Sequence, residues 1–290
     1  MKRWCKENKW VVYVLPLIFF PLFLTFYGLF KAFIKSMSGS NVPLFDPYIE
    51  LFTDHSFWKS LFYSLHITIV STVISLIIGL WLTRSLYKYM ANKKWKLIVW
   101  IPMIFPHFVA GYMIYLLLGQ TGFFSTVLAY FNLINDPSQF PALLYDSYGL
   151  GIIFTYIWKE VPFVILMLLP VYLEMNRQQI DVVKTLGGSE WEVFKTVEWP
   201  WLVPILFETG IILFSFILAA YEVPALLGAT YPKMVSVLAF EWFYESNWTM
   251  RPKAFAIMIM TSFVILMLVL FFSKWVGKKR YRLMKGNGRI

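Results

Sequence analysis

Glu160 and Glu222 each begin a Glu-Val-Pro tripeptide inside a long apolar run. A carboxylate in a lipid-facing helix is expensive, so such a group either pairs or lines a polar path. Lys159 precedes Glu160, but adjacent helical positions point in different directions, which makes the two poor partners for each other. Glu160 is expected to pair with another helix or a partner subunit, or to line a solute path. A cationic solute would suit two carboxylates, and so would ion pairs. Pro162 and Pro224 in the same tripeptides are expected to loosen their helices and free carbonyls beside a hydrated route. His66 could sense protons, bond a neighbouring helix or simply pack. His107 follows Pro102 and Pro106 in a doubly interrupted segment that is expected to bend.

Other chemistry has few players. The chain has 3 His and 1 Cys. It contains no Gly-rich loop ending in Gly-Lys-Ser/Thr, no His-Glu-x-x-His pair and no Gly-x-Ser-x-Gly elbow. Neither ATP binding of that kind, nor a metal centre, nor a serine-hydrolase site is expected on this chain. The single Cys5 permits no internal disulfide.

The elements that must carry these residues are membrane spans. Of 290 residues, 59% are apolar, 20% aromatic and only 14% charged, against about 25% charged in soluble proteins. Six apolar runs are long enough for a helical crossing: 10–31, 60–83, 97–118, 148–171, 201–220 and 254–273. The first is too long for a signal-peptide core and lacks a small-x-small cleavage site, so it reads as a retained span. Lipid demands internally satisfied backbone, so the fold class is all-α, a polytopic bundle. Lys and Arg number four in residues 1–9, five in 84–96, three in 172–200 and seven in 274–290, against five on the opposite side. The bias puts both termini in the cytoplasm. It also makes the net charge of +10 a topogenic signal beside anionic lipid rather than a nucleic-acid surface. In the second span Ser64, Thr68 and Thr72, and also Ser71, Ser75 and Gly79, recur every four residues. Such a stripe packs helices closely, within this chain or against a second subunit.

Loop 172–200 is the most informative segment. A short helix is expected from Arg177 to Leu186, stopped by Gly187-Gly188, because Gly accepts the left-handed conformation at a helix end. Ser189 and Glu192 then form a capping-box pattern that starts a second helix at Glu190. Trp191, Phe194, Val197 and Trp201 make one apolar stripe along it, with Pro200 at the joint to the next span. A surface helix resting in the headgroups is one reading; a knob that docks into another protein is the other.

This loop resembles the EAA loop of ABC importer permeases. That loop reads Glu-Ala-Ala, three residues, Gly, and a Pro thirteen residues later. Asp181-Val182-Val183, Lys184-Thr185-Leu186, Gly187 and Pro200 fall at those offsets, and Phe194, Val197, Leu202 and Pro204 match its apolar and proline positions. The departure is Asp-Val-Val for Glu-Ala-Ala, which keeps the charge and adds bulk. The resemblance covers about residues 56–275. The stretch from Tyr221 to Gly228, with Tyr231-Pro232-Lys233-Met234, is similar to permeases of the spermidine/putrescine, ferric-iron and aminoethylphosphonate group.

The resemblance implies a type I ABC importer permease fold in a bacterial inner membrane. Such a chain forms half of a pathway with a second permease subunit, a homologous different chain. An ABC ATPase dimer carries ATP and Mg2+, and this chain carries no cofactor. An extracytoplasmic solute-binding protein delivers a small polar solute of the polyamine, aminoethylphosphonate or iron class. Asp181, Val182, Val183, Lys184, Leu186, Gly187, Gly188 and Ser189 are the implied ATPase-coupling residues. Glu160, Tyr221, Glu222 and Pro224 are the candidates for the solute pathway or gate. The chain divides into residues 1–55 (tail, first helix and external loop), 56–275 (permease core) and 276–290 (basic tail). Two other readings stand beside this one. A stand-alone secondary transporter should show an inverted repeat, and a membrane-embedded enzyme should show clustered acid/base or metal residues.

Overall fold

The computed structural model describes residues 9–37, 45–90, 93–244 and 248–286. Cys5 and the final residues of the basic tail, both considered above, lie outside that set. Six helical segments among the described residues are long and apolar enough to cross a membrane: Val14–Met37, His55–Tyr89, His107–Tyr130, Leu150–Glu174, Glu190–Ala219 and Trp248–Phe272. The chain separates into two compact units, residues 1–57 with 238–263 and residues 58–237 with 264–290.

In the first unit α1 (Lys9–Met37) carries Pro16 and Pro21 within its length. It exposes apolar side chains on every face from Val14 to Ile34. The expected external loop holds a short helix, α2 (Asp46–Thr53). The Ser36 and Tyr48 hydroxyls lie 2.7 Å apart and tie α2 to the end of α1. Lys253 pairs with Glu50 at 2.6 Å, and the Arg251 guanidinium sits 3.8 Å from the Trp248 ring centroid.

The second unit holds the core. Its helices are α3 (His55–Met90), α4 (Lys93–Ile104), α5 (His107–Leu118), α6 (Phe123–Tyr130), α7 (Leu150–Glu174), α8 (Arg177–Thr185), α9 (Glu190–Val193), α10 (Trp199–Ala219) and α11 (Glu222–Leu227). The ends of α12 (Val235–Tyr244) and α13 (Arg251–Gly286) also enter it. α7 is mostly apolar and is buried on most sides. One cluster joins Ile67 of α3, Ile152 and Tyr156 of α7, Ile217 of α10 and Leu227 of α11. A second, nearer the basic-loop side, joins Val164, Leu168 and Tyr172 of α7 to Leu202 and Leu213 of α10.

The small-residue stripe of α3 faces inward. Ser64, Thr68, Ser71 and Ser75 are fully buried, and the Ser64 Oγ accepts a hydrogen bond from the Val235 amide at 2.8 Å. The stripe therefore packs inside this chain. His66 is on the opposite, exposed face with Phe62, Ile69, Val73 and Ile77, so it is not a packing residue within the described chain.

The third crossing differs from the expected 97–118. α4 stops at Ile104 and α5 starts at His107, so the crossing runs from His107 to Tyr130. Pro106 explains the stop: it has no amide hydrogen to give the Pro102 carbonyl four residues back, and it forces Phe105 out of the helical region. Pro162, by contrast, sits within an unbroken α7.

Gly79 marks the closest approach of α3 to α7. A Cβ there would lie 2.5 Å from Val164 Cγ1 and 2.6 Å from Val164 Cβ, atoms of a stiff β-branched side chain. Helix propensity alone would make Gly79→Ala stabilising by about 0.5–1 kcal/mol, whereas overpacking costs about 1–3 kcal/mol. The overpacking is the larger effect. Gly79→Ala is expected to lower the melting midpoint of the detergent-solubilised protein, and a raised midpoint would refute the close packing.

Candidate functional site

The break at Pro106 organises a polar cluster within the bundle. The orphaned Pro102 carbonyl accepts a hydrogen bond from Lys159 Nζ at 2.7 Å, and the Phe105 carbonyl accepts one at 2.6 Å. The ammonium thus caps the C-terminal end of α4, where the helix dipole favours a cation. Lys159 and Glu160 are both buried, and they do not pair with each other. Glu160 Oε1 lies 3.1 Å from His107 Nε2. The His107 ring packs at 4.7 Å between centroids on Phe216 of α10.

Two cavities meet at His107 and Phe216. One of about 230 Å3 is lined by Lys159, Glu160, Met103 and Phe163 together with those two residues. The other, about 290 Å3, is lined by His107, Tyr156, Phe216, Ala220, Tyr221, Glu222 and Val223. Three of the four pathway candidates, Glu160, Tyr221 and Glu222, therefore gather around one histidine. Pro224 is buried and lines neither cavity. It does not loosen α11, because it occupies the first turn, where its missing N–H has no intrahelical partner to lose. Its carbonyl accepts a bond from the Gly228 amide at 2.9 Å. The Tyr156 hydroxyl is fully buried and has no hydrogen-bond partner among the described atoms. A further cavity of about 520 Å3 between α3, α10 and α13 has nearly all-apolar walls and no charged residue, as a lipid-facing groove would.

The loop on the basic side is built as its sequence indicates. Asn176 caps α8 by accepting a bond from the Gln178 amide at 3.0 Å. The helix ends in a Schellman motif: the Gly188 amide bonds the Val183 carbonyl at 2.9 Å and the Gly187 amide bonds the Lys184 carbonyl at 3.0 Å. Gly187 sits at φ +82° and Cβ would meet nothing there within 4 Å, so its outer side is open. At Gly188, by contrast, a Cβ would come within 2.6 Å of Val183 Cγ1. The capping box closes the turn: the Ser189 amide donates to Glu192 Oε2 at 2.6 Å and the Glu192 amide to Ser189 Oγ at 3.3 Å. Lys184 pairs with Glu190, which holds the lysine above its ordinary range. Asp181, Val182 and Leu186 stand exposed, Val182 at 58% and Leu186 at 83%.

The expected stripe along α9 is not continuous. A π-helical turn, Phe194–Glu198, adds a residue to the helix. It buries Val193, Val197 and Glu198. Trp191 is left exposed and stacks at 5.4 Å on Phe194. The buried Glu198 meets two residues that the sequence did not single out. Arg84 Nε donates to Glu198 Oε2 at 2.8 Å, and the Tyr172 hydroxyl donates to the same oxygen at 3.1 Å. Arg84 Nη2 also donates to the Glu190 carbonyl at 3.0 Å. α3, α7 and the loop are thereby joined at one carboxylate.

The family described as "Binding-protein-dependent transport system inner membrane component" matches residues 75–280. Over 152 residues the chain is 26% identical to the "Probable sulfate transport system permease protein cysT" of Helicosporidium sp. subsp. Simulium jonesii, covering 52% of each chain. It is 25% identical over 191 residues to the "Thiamine transport system permease protein ThiP" of Escherichia coli K12, covering 65% of this chain and 34% of that one. It is 26% identical over 232 residues to the "Ferric transport system permease protein FbpB" of Actinobacillus pleuropneumoniae, covering 79% and 32%. The chain thus spans about half of the first and about a third of the other two. Among solved structures, a bacterial ABC transporter involved in the import of the acidic polysaccharide alginate superposes with a TM-score of 0.76 at 19% identity, covering 96% of this chain and 99% of that one. At that identity the likeness is one of fold.

Removing Arg84 would leave the buried Glu198 carboxylate with only Tyr172. Losing one partner of a fully buried ion pair costs about 3–5 kcal/mol, while removing both can be nearly neutral; Arg84 is one-third exposed, which lowers the cost here. Arg84→Met is expected to destabilise the solubilised protein by about 1–3 kcal/mol in thermal or denaturant unfolding. Arg84→Met with Glu198→Leu is expected to recover much of that loss. Additive single-mutant effects would show the two groups to be uncoupled.

Proposed function

Because the chain belongs to the family of binding-protein-dependent transport system inner membrane components, we propose that it is the permease subunit forming half of the translocation pathway of an ATP-driven importer. A second permease subunit supplies the other half. A partner ATPase dimer holds ATP and Mg2+ and grips the loop around Asp181–Ser189. An extracytoplasmic binding protein delivers a small polar solute of the polyamine, aminoethylphosphonate or iron class. In this reading residues 56–275 form the transmembrane core, flanked by 1–55 and the basic tail 276–290.

The observation that carries the proposal is the exposed, doubly locked knob fastened to the bundle. The Schellman turn at Gly187 and the capping box at Ser189 fix the angle between α8 and α9. The Arg84–Glu198–Tyr172 junction ties that fixed angle to α3 and α7. A rigid element tied to two spanning helices can bias the pathway between two states when its docked position changes. Val182 and Leu186 supply the apolar contact, and Asp181 supplies a charge at its edge.

Gly187→Arg tests the reading. The fold cost is limited to the left-handed conformation, about 1–2 kcal/mol, since no atom of this chain crowds that position. The docked partner meets the new side chain directly. The variant is expected to reach the membrane in normal amount, to lose co-purification with the ATPase, and to show uptake reduced at least about tenfold. Normal co-purification with normal ATP-driven uptake would overturn the proposal. Uptake by the purified chain alone, with no ATPase present, would favour a stand-alone transporter.

A further inference from the structure

We infer that the cavity walled by His107, Tyr156, Phe216 and Glu222 is a binding site for a small organic ammonium ion. The inference rests on the solute-path reading above and narrows it to one ligand chemistry.

The charge arrangement favours a cation. The Glu222 carboxylate is exposed at the cavity and makes no ion pair among the described residues. A second carboxylate, Glu160, stands in the adjoining cavity and shares His107 with it. The nearby lysine does not offset them toward a ligand, because Lys159 Nζ is spent on the Pro102 and Phe105 carbonyls at 2.7 and 2.6 Å. An oxyanion entering here would meet carboxylates with no unengaged ammonium or guanidinium among the described lining residues.

An independent observation points to a ligand. Tyr156 is fully buried, lines the same cavity, and has no partner for its hydroxyl. A buried polar group without a partner is costly and calls for an explanation. An ammonium N–H donated to that oxygen would supply one, and the rings of Tyr156 and Phe216 offer faces that attract a cation. Among the described residues no three His, Cys, Asp or Glu side chains gather as metal ligands, so a bare metal ion would lack its donors. An ammonium group needs only acceptors and ring faces. The volume, about 290 Å3, holds roughly ten water-sized groups at about 30 Å3 each, which suits a short alkylamine and excludes a polymer.

The test is calorimetric titration of the full-length chain in detergent with butylammonium, sulfate and Mn2+ as separate probes. Butylammonium is expected to bind, and Glu222→Gln is expected to weaken it about tenfold or more. Tyr156→Phe is expected to weaken it several-fold while leaving the melting midpoint unchanged or raised, since it deletes an unpartnered hydroxyl. A merely structural tyrosine would not separate those two readouts. Butylammonium binding that is absent, or unchanged in either variant, overturns the inference, and so does sulfate binding that is lost in Glu222→Gln. Should Glu222→Gln fold poorly, the Tyr156→Phe affinity decides. ATP-driven uptake read in parallel keeps the two proposals apart. Coupled uptake without butylammonium binding removes the ligand class alone. Glu222-dependent binding without coupled uptake removes the transport reading alone.

Discussion

Lys159 resolves the problem on which the rest of the bundle depends. Lipid offers a backbone carbonyl no donor, so a proline that interrupts a helix must be answered by another part of the chain. Pro106 leaves the Pro102 carbonyl without its amide, and the interruption of the helix leaves the Phe105 carbonyl beside it. A single ammonium from α7 takes both. That contact fastens the end of α4 to α7 and lets α5 begin at His107. It also settles the neighbouring charges: with Lys159 committed to backbone, Glu160 turns to His107, and the two small cavities open on either side of that histidine.

The loop on the basic side is also fastened through a single group. Glu198 is buried where the loop enters α10, and it accepts from both Arg84 and Tyr172. One acidic oxygen therefore holds together the end of α3, the end of α7 and the root of the loop. Within the loop itself, Val182, Leu186 and Gly187 face outward. Rigidity is supplied from beneath, by caps and by the Glu198 junction, and the outer face is left bare.

Much of this was legible in the residues because it depends on local rules. The six crossings follow from apolar length, and the Gly187 turn and the Ser189–Glu192 capping box follow from helix-end chemistry. The position of the third crossing does not follow from apolar length, although the four-residue spacing of Pro102 and Pro106 predicts an orphan carbonyl. What could not be read is which distant group answers it, since Lys159 lies more than fifty residues away in sequence. Arg84 and Glu198 were hidden for the same reason: their distance, 114 positions along the chain, carries no periodic signal. Tyr156 looked like one more aromatic in an apolar helix, and only the packed structure shows its hydroxyl standing alone.

The π turn at Phe194–Glu198 has a geometric consequence for the knob above it. One surplus residue advances the chain by about 100° of azimuth relative to an uninterrupted α-helix. The compass bearing at which α8 and α9 stand over the bundle is therefore set by residue count, a whole-number property, and surface side chains can refine it only slightly. A relative lacking that surplus would aim the same motif in another direction, so a matching motif does not by itself make two such chains interchangeable on one engine.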